Sequence, residues 1–358
     1  MALGQGARVD EVLSAYPSPE MIYNENRQAR LISGVFTKAR LDRLESVKLS
    51  DAENALRVSA QNGWSVYTPD DEGYPSSLQK LPDKPLVLFV CGDISCLEGR
   101  LAVGVVGTRN ASFDSAKIAR KLSSDMAERG VVIVSGGALG IDSAAHEGAL
   151  SASGKTVCVL GCGLGTNYLV SNEALRREIS QNGALVSEYP PFSPASKSTF
   201  PIRNRIISGL SHGVLVVEAS EKSGSLITAA CAAEQGKDVF AVPGSILSSA
   251  HTGANKLIRD GAAAVTCADD IICPLSRIYG IEVGRGEPEP LAPSKKSAPK
   301  NISGDALVVY KLLGKEPMHP DEISASSSLP LMKVITALTE LELGGYAEQI
   351  QGNNYILI

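Results

Sequence analysis

The chain has 358 residues, enough for two or three domains. Its 44% hydrophobic and 20% charged residues are the balance of a globular protein and argue against wholesale disorder. The formal charge is -5, from 34 Lys and Arg against 39 Asp and Glu, which excludes a generally basic nucleic-acid coat but not a local basic groove.

Residues 1–80 read as a small helical N-terminal domain. Leu41, Leu44, Val47, Leu49, Leu56 and Val58 recur at mixed spacing, and Asp51 suits an N-cap. A sheet domain is expected over 81–283, opening with a strand in Pro85–Cys91. That run is also the longest apolar one, far short of the roughly 20 residues of a membrane span. Met1 to Gly6 lacks a charged-then-apolar leader pattern, so the expectation is a cytoplasmic protein with no membrane contact. The seven cysteines include no C-x-x-C pair and only four histidines accompany them, which argues against zinc and for buried thiols in a reducing compartment.

From residue 100 to about 275, apolar β-branched runs alternate with helix-like stretches. The strands are Val103–Val106, Val131–Val134, Val157–Leu160, Ala184–Val186, Gly213–Val217 and Val239–Val242. The helices are Ser112–Arg129, Ile141–Ala152, Asn172–Gln181, Asn204–Leu210, Leu226–Glu234 and Ala254–Arg259. Continuously apolar strands between helices predict a parallel sheet covered on both faces. Such sheets take ligands beyond the carboxyl ends of their strands. Residues 284–303, rich in Pro and Lys, read as a linker. Beyond them, helices at Asp305–Leu313, from Pro320 and at Leu331–Leu343, then an alternating tail with a Gly-Asn turn, predict a winged-helix domain over 304–358.

Four post-strand loops carry the chemistry. The first, Gly104-Val-Val-Gly107-Thr-Arg109, is neither G-x-G-x-x-G nor a P-loop, which disfavours dinucleotide binding. Its amides and the Arg109 guanidinium suit a phosphate oxygen, the plainer reading being an arginine that closes a turn. In the second loop, Gly136 and Gly137 allow close approach of either a phosphate backbone or a packed sheet. Asp142 and His146 follow one helical turn apart. They read as an acid/base pair, metal ligands or, best, a structural hydrogen bond. Residues 189–217 hold no Asp or Glu but carry Lys197, Arg203 and Arg205 interleaved with Phe192 and Phe200. Cations with an aromatic face are what single-stranded nucleic acid needs. The alternative is a core Phe200 with arginines paired to distant acids. In the fourth loop, Ser223-Gly224-Ser225 opens a helix, whose amides suit an anion. No G-x-S-x-G surrounds these serines, so a nucleophile is disfavoured.

On these residues the chain resembles the DprA/Smf family, DNA-processing proteins of natural transformation. The matching stretches are Val105–Arg109, Val134–His146, Phe200–Ile207, Val217–Thr228 and Val239–Ser245. The resemblance implies an extended Rossmann-like α/β fold that binds single-stranded DNA without sequence specificity and protects it. It implies a homodimer that loads a RecA-type recombinase while displacing single-strand-binding protein. No enzymatic activity and no cofactor come with it. Carried over by motif, Arg109 is the phosphate-binding arginine, Lys197 a DNA-contacting cation and Phe200 the base-packing aromatic. Arg203 and Asn204 fall in the same motif, Arg205 beside them, and Ser223, Gly224 and Ser225 form the pocket's helix start.

Three features depart from the family. Leu139 stands where many relatives carry Arg. Leu3-Gly-Gln-Gly6 is only a remnant of the helix-hairpin-helix with which many relatives begin. The presumed recognition helix, Pro330–Leu343, has one Lys and two Glu, which favours a protein contact over DNA. With three or four phosphates neutralised, the log–log salt slope is expected at roughly -2 to -3 per subunit. The rival readings are a nucleotide or nucleoside-monophosphate hydrolase, lacking its P-G-G-x-G-T-x-x-E signature here, and a scaffold acting through the winged helix.

Overall fold

The β-branched runs assemble into one nine-stranded sheet: β1 (Ser65–Tyr67), β2 (Leu88–Gly92), β3 (Ala102–Val106), β4 (Val132–Ser135), β5 (Thr156–Val159), β6 (Ala184–Ser187), β7 (Gly213–Val216), β8 (Asp238–Ala241) and β9 (Ala263–Ala264). The order is β1-β2-β6-β5-β4-β3-β7-β8-β9. The seven strands β3 to β9 run parallel, whereas β2 joins β6, and β1 joins β2, antiparallel. The sheet is thus mostly, not wholly, parallel. This computed structural model describes residues 9–16, 18–284, 304–314, 318–327, 329–344, 346–350 and 354–357.

Burial on both faces explains the uninterrupted apolar strands. Val132 and Val134 of β4 pack to one side and Ile133 to the other, following the two-residue period of a strand. The N-terminal helices are α1 (Val9–Ala15), α2 (Pro19–Asn24), α3 (Arg27–Ile32), α4 (Lys38–Ser46) and α5 (Leu49–Gln61). Val12, Tyr16, Ile22, Phe36, Leu41 and Leu44 give them a small core of their own. Around the sheet lie α6 (Ser76–Gln79), α7 (Phe113–Glu128), α8 (Ile141–Ser151), α9 (Glu173–Asn182), α10 (Thr199–Leu210), α11 (Ser225–Glu234), α12 (Thr252–Arg259) and α13 (Asp269–Tyr279). Residues of α6, α10, α11 and α12 cover one face, and residues of α7, α8 and α13 the other.

The sheet begins at Ser65, ahead of the expected boundary at 80/81, because β1 pairs along β2. α10 begins at Thr199 and not at Asn204. Pro201 lies in its first turn, where a missing N–H leaves no hydrogen bond unmade. The cysteines are all free, but Cys267 and Cys273 are exposed, so the expectation of buried thiols holds only for Cys96, Cys158 and Cys162. No group of three potential metal ligands occurs among the described residues. None of their helices is long and apolar enough to cross a membrane.

The contacts divide the chain into Met1–Gly286 and Glu287–Ile358. The second unit holds α14 (Asp305–Leu312), α15 (Pro320–Ser327), α16 (Leu331–Leu343) and the hairpin of β10 (Ala347–Ile350) and β11 (Asn354–Leu357). Val309, Ile323, Val334, Leu338 and Leu341 form its core. The linker expected at 284–303 lies almost wholly outside the described residues, as does Leu3–Gly6.

Candidate nucleic-acid interface

β4, β5 and β6 lie to one side of β3, and β7, β8 and β9 to the other. The chain therefore reverses across the sheet between β6 and β7. The loops after neighbouring strands β3 and β7 flank a crevice there. It is a cavity of about 410 Å³ whose walls include Arg109, Asp142, Lys197, Phe200, Asn204 and Ser223.

Backbone contacts without room for side chains set its floor. A Cβ on Gly107 would lie 2.5 Å from the Ile141 side chain, and one on Gly140 (φ +79) would lie 2.4 Å from the Thr108 carbonyl oxygen. Thr108 N donates to the Glu218 carbonyl (2.8 Å), and Ile141 N donates to that of Thr108 (3.2 Å). The loops after β3, β4 and β7 are thereby stitched together. The Glu218 carboxylate accepts from Ser112 N (3.1 Å) and Oγ (2.6 Å). Burial alone would raise its pKa, but hydrogen bonds from Ser112 and Ser115 hold it below the ordinary range.

On this floor Arg109 emerges exposed. Its guanidinium carbon sits 4.7 Å from the centre of the Phe200 ring, within cation–π range. Phe200, half-buried in the first turn of α10, also meets Tyr168 at a ring distance of 5.4 Å. Gly161 makes room for it, since a Cβ there would lie 2.9 Å from the ring. Lys197 is exposed on the segment before α10 and lines the same cavity. Asn204 reaches across to donate to the Gly224 carbonyl (3.3 Å). The Ser223 and Ser225 hydroxyls lie 2.8 Å apart at the start of α11.

The remaining expected residues are held within the protein. Arg203 is 4% exposed, and its Nη1 donates to the carbonyls of Gly136 (2.7 Å) and Val159. Burial lowers its pKa, with the Asp142 charge opposing. It ties the ends of β4 and β5 to α10 and reaches the crevice only as part of its wall. Gly136 admits it, because a Cβ there would lie 2.5 Å from Arg203 Nη2. Gly137 has φ +66 and abuts Cys158. Both glycines are buried and neither lines the crevice, so their packing reading replaces the phosphate one. Arg205 is 5% exposed. Its Nη2 donates to both Glu188 carboxylate oxygens (2.6 and 2.7 Å), and its Nε lies 3.2 Å from Asp83. It lines a different cavity, so the alternative of arginines paired to distant acids holds for it.

Asp142 and His146 do not pair. His146 Nδ1 lies 2.7 Å from Thr156 Oγ1, and burial pushes its pKa down to about 3. Asp142 accepts from Ala138 N (3.3 Å), and burial raises its pKa. Sequence reasoning missed Tyr168 and Glu218. Tyr168 follows the glycine-rich loop after β5, and Glu218 closes β7 opposite the Ser112 N-cap, signals that only the strand order brings together.

Residues 65–276 match the family described as DNA recombination-mediator protein A, and residues 290–353 match the DprA winged helix domain. The chain is 38% identical over 320 residues to protein Smf of Escherichia coli K12, covering 88% of this chain and 83% of that one. It is 44% identical over 216 residues to the DNA processing protein DprA of Bacillus subtilis 168, covering 60% of this chain and 73% of that one. Among solved structures, DprA of Streptococcus pneumoniae superposes with a TM-score of 0.64 and 36% identity, over 75% of this chain and 93% of that one. DprA of Helicobacter pylori, described for its unique single-stranded DNA binding mode, superposes with a TM-score of 0.55 and 33% identity, over 60% and 96% of the two chains.

Proposed function

The chain belongs to the DNA recombination-mediator protein A family, and from that premise we propose that it binds single-stranded DNA without sequence preference in the β3/β7 crevice. The observation that carries this reading is the Arg109–Phe200 stack with exposed Lys197 on the same cavity. Arg109 and Lys197 take phosphate oxygens, and Phe200 with Tyr168 offers aromatic surface to a base at about 1–3 kcal/mol. Asn204 and the Ser223-Gly224-Ser225 turn hold the opposite wall. With two free cations, the salt slope falls to roughly -1.4 per subunit, shallower than four cations imply.

The protein acts as a binding module, not an enzyme. The Ser223 and Ser225 hydroxyls bond to each other, and no histidine is among the described residues that line the crevice. It protects the strand and delivers it to a RecA-type recombinase, displacing single-strand-binding protein, as a homodimer in the cytoplasm. The winged-helix unit makes a protein contact: Leu331, Met332 and Ile335 of α16 are exposed, and Lys333 is engaged with Asp305 (3.2 Å).

The test is fluorescence anisotropy of a labelled oligo-dT against wild type and the Lys197→Ala/Phe200→Ala variant at two salt concentrations. Salt-sensitive binding lost in the variant supports the reading. A wild type that does not bind at low salt overturns it.

A further inference from the structure

Of the two phenylalanines in the acid-free segment 189–217, Phe200 lines the crevice and Phe192 does not. Phe192 stands on the loop after β6 and is 64% exposed. A single exposed ring is ordinary on a protein surface. This one is set apart by how it is held and by what continues from it.

Its loop is joined to the loop after β5. Gly163 N donates to the Ser193 carbonyl (2.9 Å) and Gly165 N to that of Pro191 (2.8 Å). Thr166 Oγ1 also donates to the Ser193 carbonyl (2.9 Å). A Cβ on Gly165 would lie 2.7 Å from the Phe192 ring, so the ring rests on bare backbone. Leu164 and Tyr168 of one loop and Ala195 of the other pack on the same small core as Cys162. Tyr168 in turn meets Phe200, and Arg109 covers Phe200. The loop after β6 itself runs on to Lys197, which lines the crevice.

The charges agree with this continuity. Residues 161–172 hold no charged side chain, and 189–202 hold only Lys197. Glu188, the acid just ahead, is buried against Arg205. Strands β3, β4, β5 and β6 are parallel neighbours, so the loops that follow them leave one edge of the sheet side by side. From β3 to β6 that edge spans three strand spacings, about 14 Å. That is about four nucleotides at a stacked rise of 3.4 Å, and fewer in an extended strand.

We propose that Phe192 is a second stacking platform: a DNA strand held in the β3/β7 crevice runs along this edge towards β6 and lays a further base on the exposed Phe192 ring. The proposal rests on the crevice reading and adds a direction and a length to it. An uncharged ledge that continues from exposed cations suits a nucleobase whose phosphates stay on those cations.

The experiment is anisotropy competition with unlabelled oligo-dT of about 4 to 16 nucleotides, the range of single-strand sites, on wild type, Phe192→Ala and Phe200→Ala. Phe200→Ala should weaken every length. Phe192→Ala should bind the shortest oligomers as wild type does and the long ones about fivefold or more weakly, the size of one base–aromatic stack. Its salt slope and Tm should not move, because no cation and no buried side chain is lost. In Phe192→Trp, long oligo-dT should quench the emission added to that of Trp64, the chain's single tryptophan. Phe113, 75% exposed on α7 beside Asp114, is the control, and Phe113→Ala should bind as wild type does. Three results each overturn the platform: Phe192→Ala equal to wild type at every length, a loss that does not depend on length, or no quenching in Phe192→Trp. A loss in Phe113→Ala as large as in Phe192→Ala overturns the route. In all of these cases the crevice reading stands if Phe200→Ala weakens binding. A wild type that binds no length overturns the crevice reading itself.

Discussion

Arg109 and Lys197 sit on loops and keep their hydration; Arg203 and Arg205 sit on α10 and are buried. In sequence all four read as one basic track. The structure separates cations that can exchange water for phosphate from cations already desolvated and held by carbonyls or carboxylates. The loop pair suits a ligand, and the helix pair holds the sheet ends, α10 and the Glu188 segment together. A buried ion whose partners are fixed contributes to folding, while a solvated ion contributes to association and to its salt dependence. The two classes therefore answer to different measurements.

The largest expected effect tests the interior class. Arg205→Ala leaves the Glu188 carboxylate, itself 8% exposed, without its bidentate partner. Removing one partner of a buried pair costs about 3–5 kcal/mol. The urea midpoint of the first unit should fall accordingly. An unchanged midpoint would break the distinction between the two classes.

His146 extends the interior class to acid. Its folded pKa of about 3 lies below its ordinary 6.5, so the unfolded chain takes up a proton first as pH falls. Stability is therefore lost from pH 6.5 down towards 3, at up to about 1.4 kcal/mol per pH unit. Asp142 works the other way, because a raised carboxyl pKa favours the folded state as pH falls. The readout is thus the difference between wild type and His146→Gln, with the variant losing less stability between pH 6.5 and 4.5. Parallel curves would mean that His146 is protonated in the fold.

Arg109→Ala tests the solvated class. Single-stranded DNA affinity should drop by about 1–2 kcal/mol at low salt, with the loss of one phosphate contact and the Phe200 stack. The salt slope should ease from roughly -1.4 to -0.7 per subunit, with Tm unchanged. A fall in Tm of the size expected for Arg205→Ala would move Arg109 into the interior class.

Most strands and helices of 100–275 are legible because both faces of the central sheet are buried, so its strands read as near-continuous, Val-rich apolar runs. The edges are not. β1 has three residues and β9 is Ala263–Ala264, too short for a periodic signal, and in α13 Pro274 interrupts a helix whose buried Ile271, Ile272 and Leu275 do fall at helical spacing. The antiparallel pairing of β2 follows from long-range contacts that no local pattern records. At the site, the α/β alternation alone marks the loops after β3 and β7 as candidate ligand positions. The fates of Arg203 and Arg205 were not legible, since their partners Gly136, Val159, Glu188 and Asp83 come from distant segments. Their two-residue spacing did carry one usable signal, that a helix cannot aim both at the same groove.

The smallest effect sharpens the comparison by adding to the solvated class. Leu139 is 45% exposed. It stands between Ala138, which lines the crevice, and Gly140, whose backbone abuts that of Thr108 and Arg109. A cation grown from this exposed position belongs with Arg109 and Lys197. Leu139→Arg should steepen the salt slope by about 0.7 per subunit and tighten low-salt oligo-dT binding about threefold, with Tm unchanged. An unchanged slope would show that the path of the strand passes Arg109 on the Phe200 side and leaves the loop after β4 outside the interface.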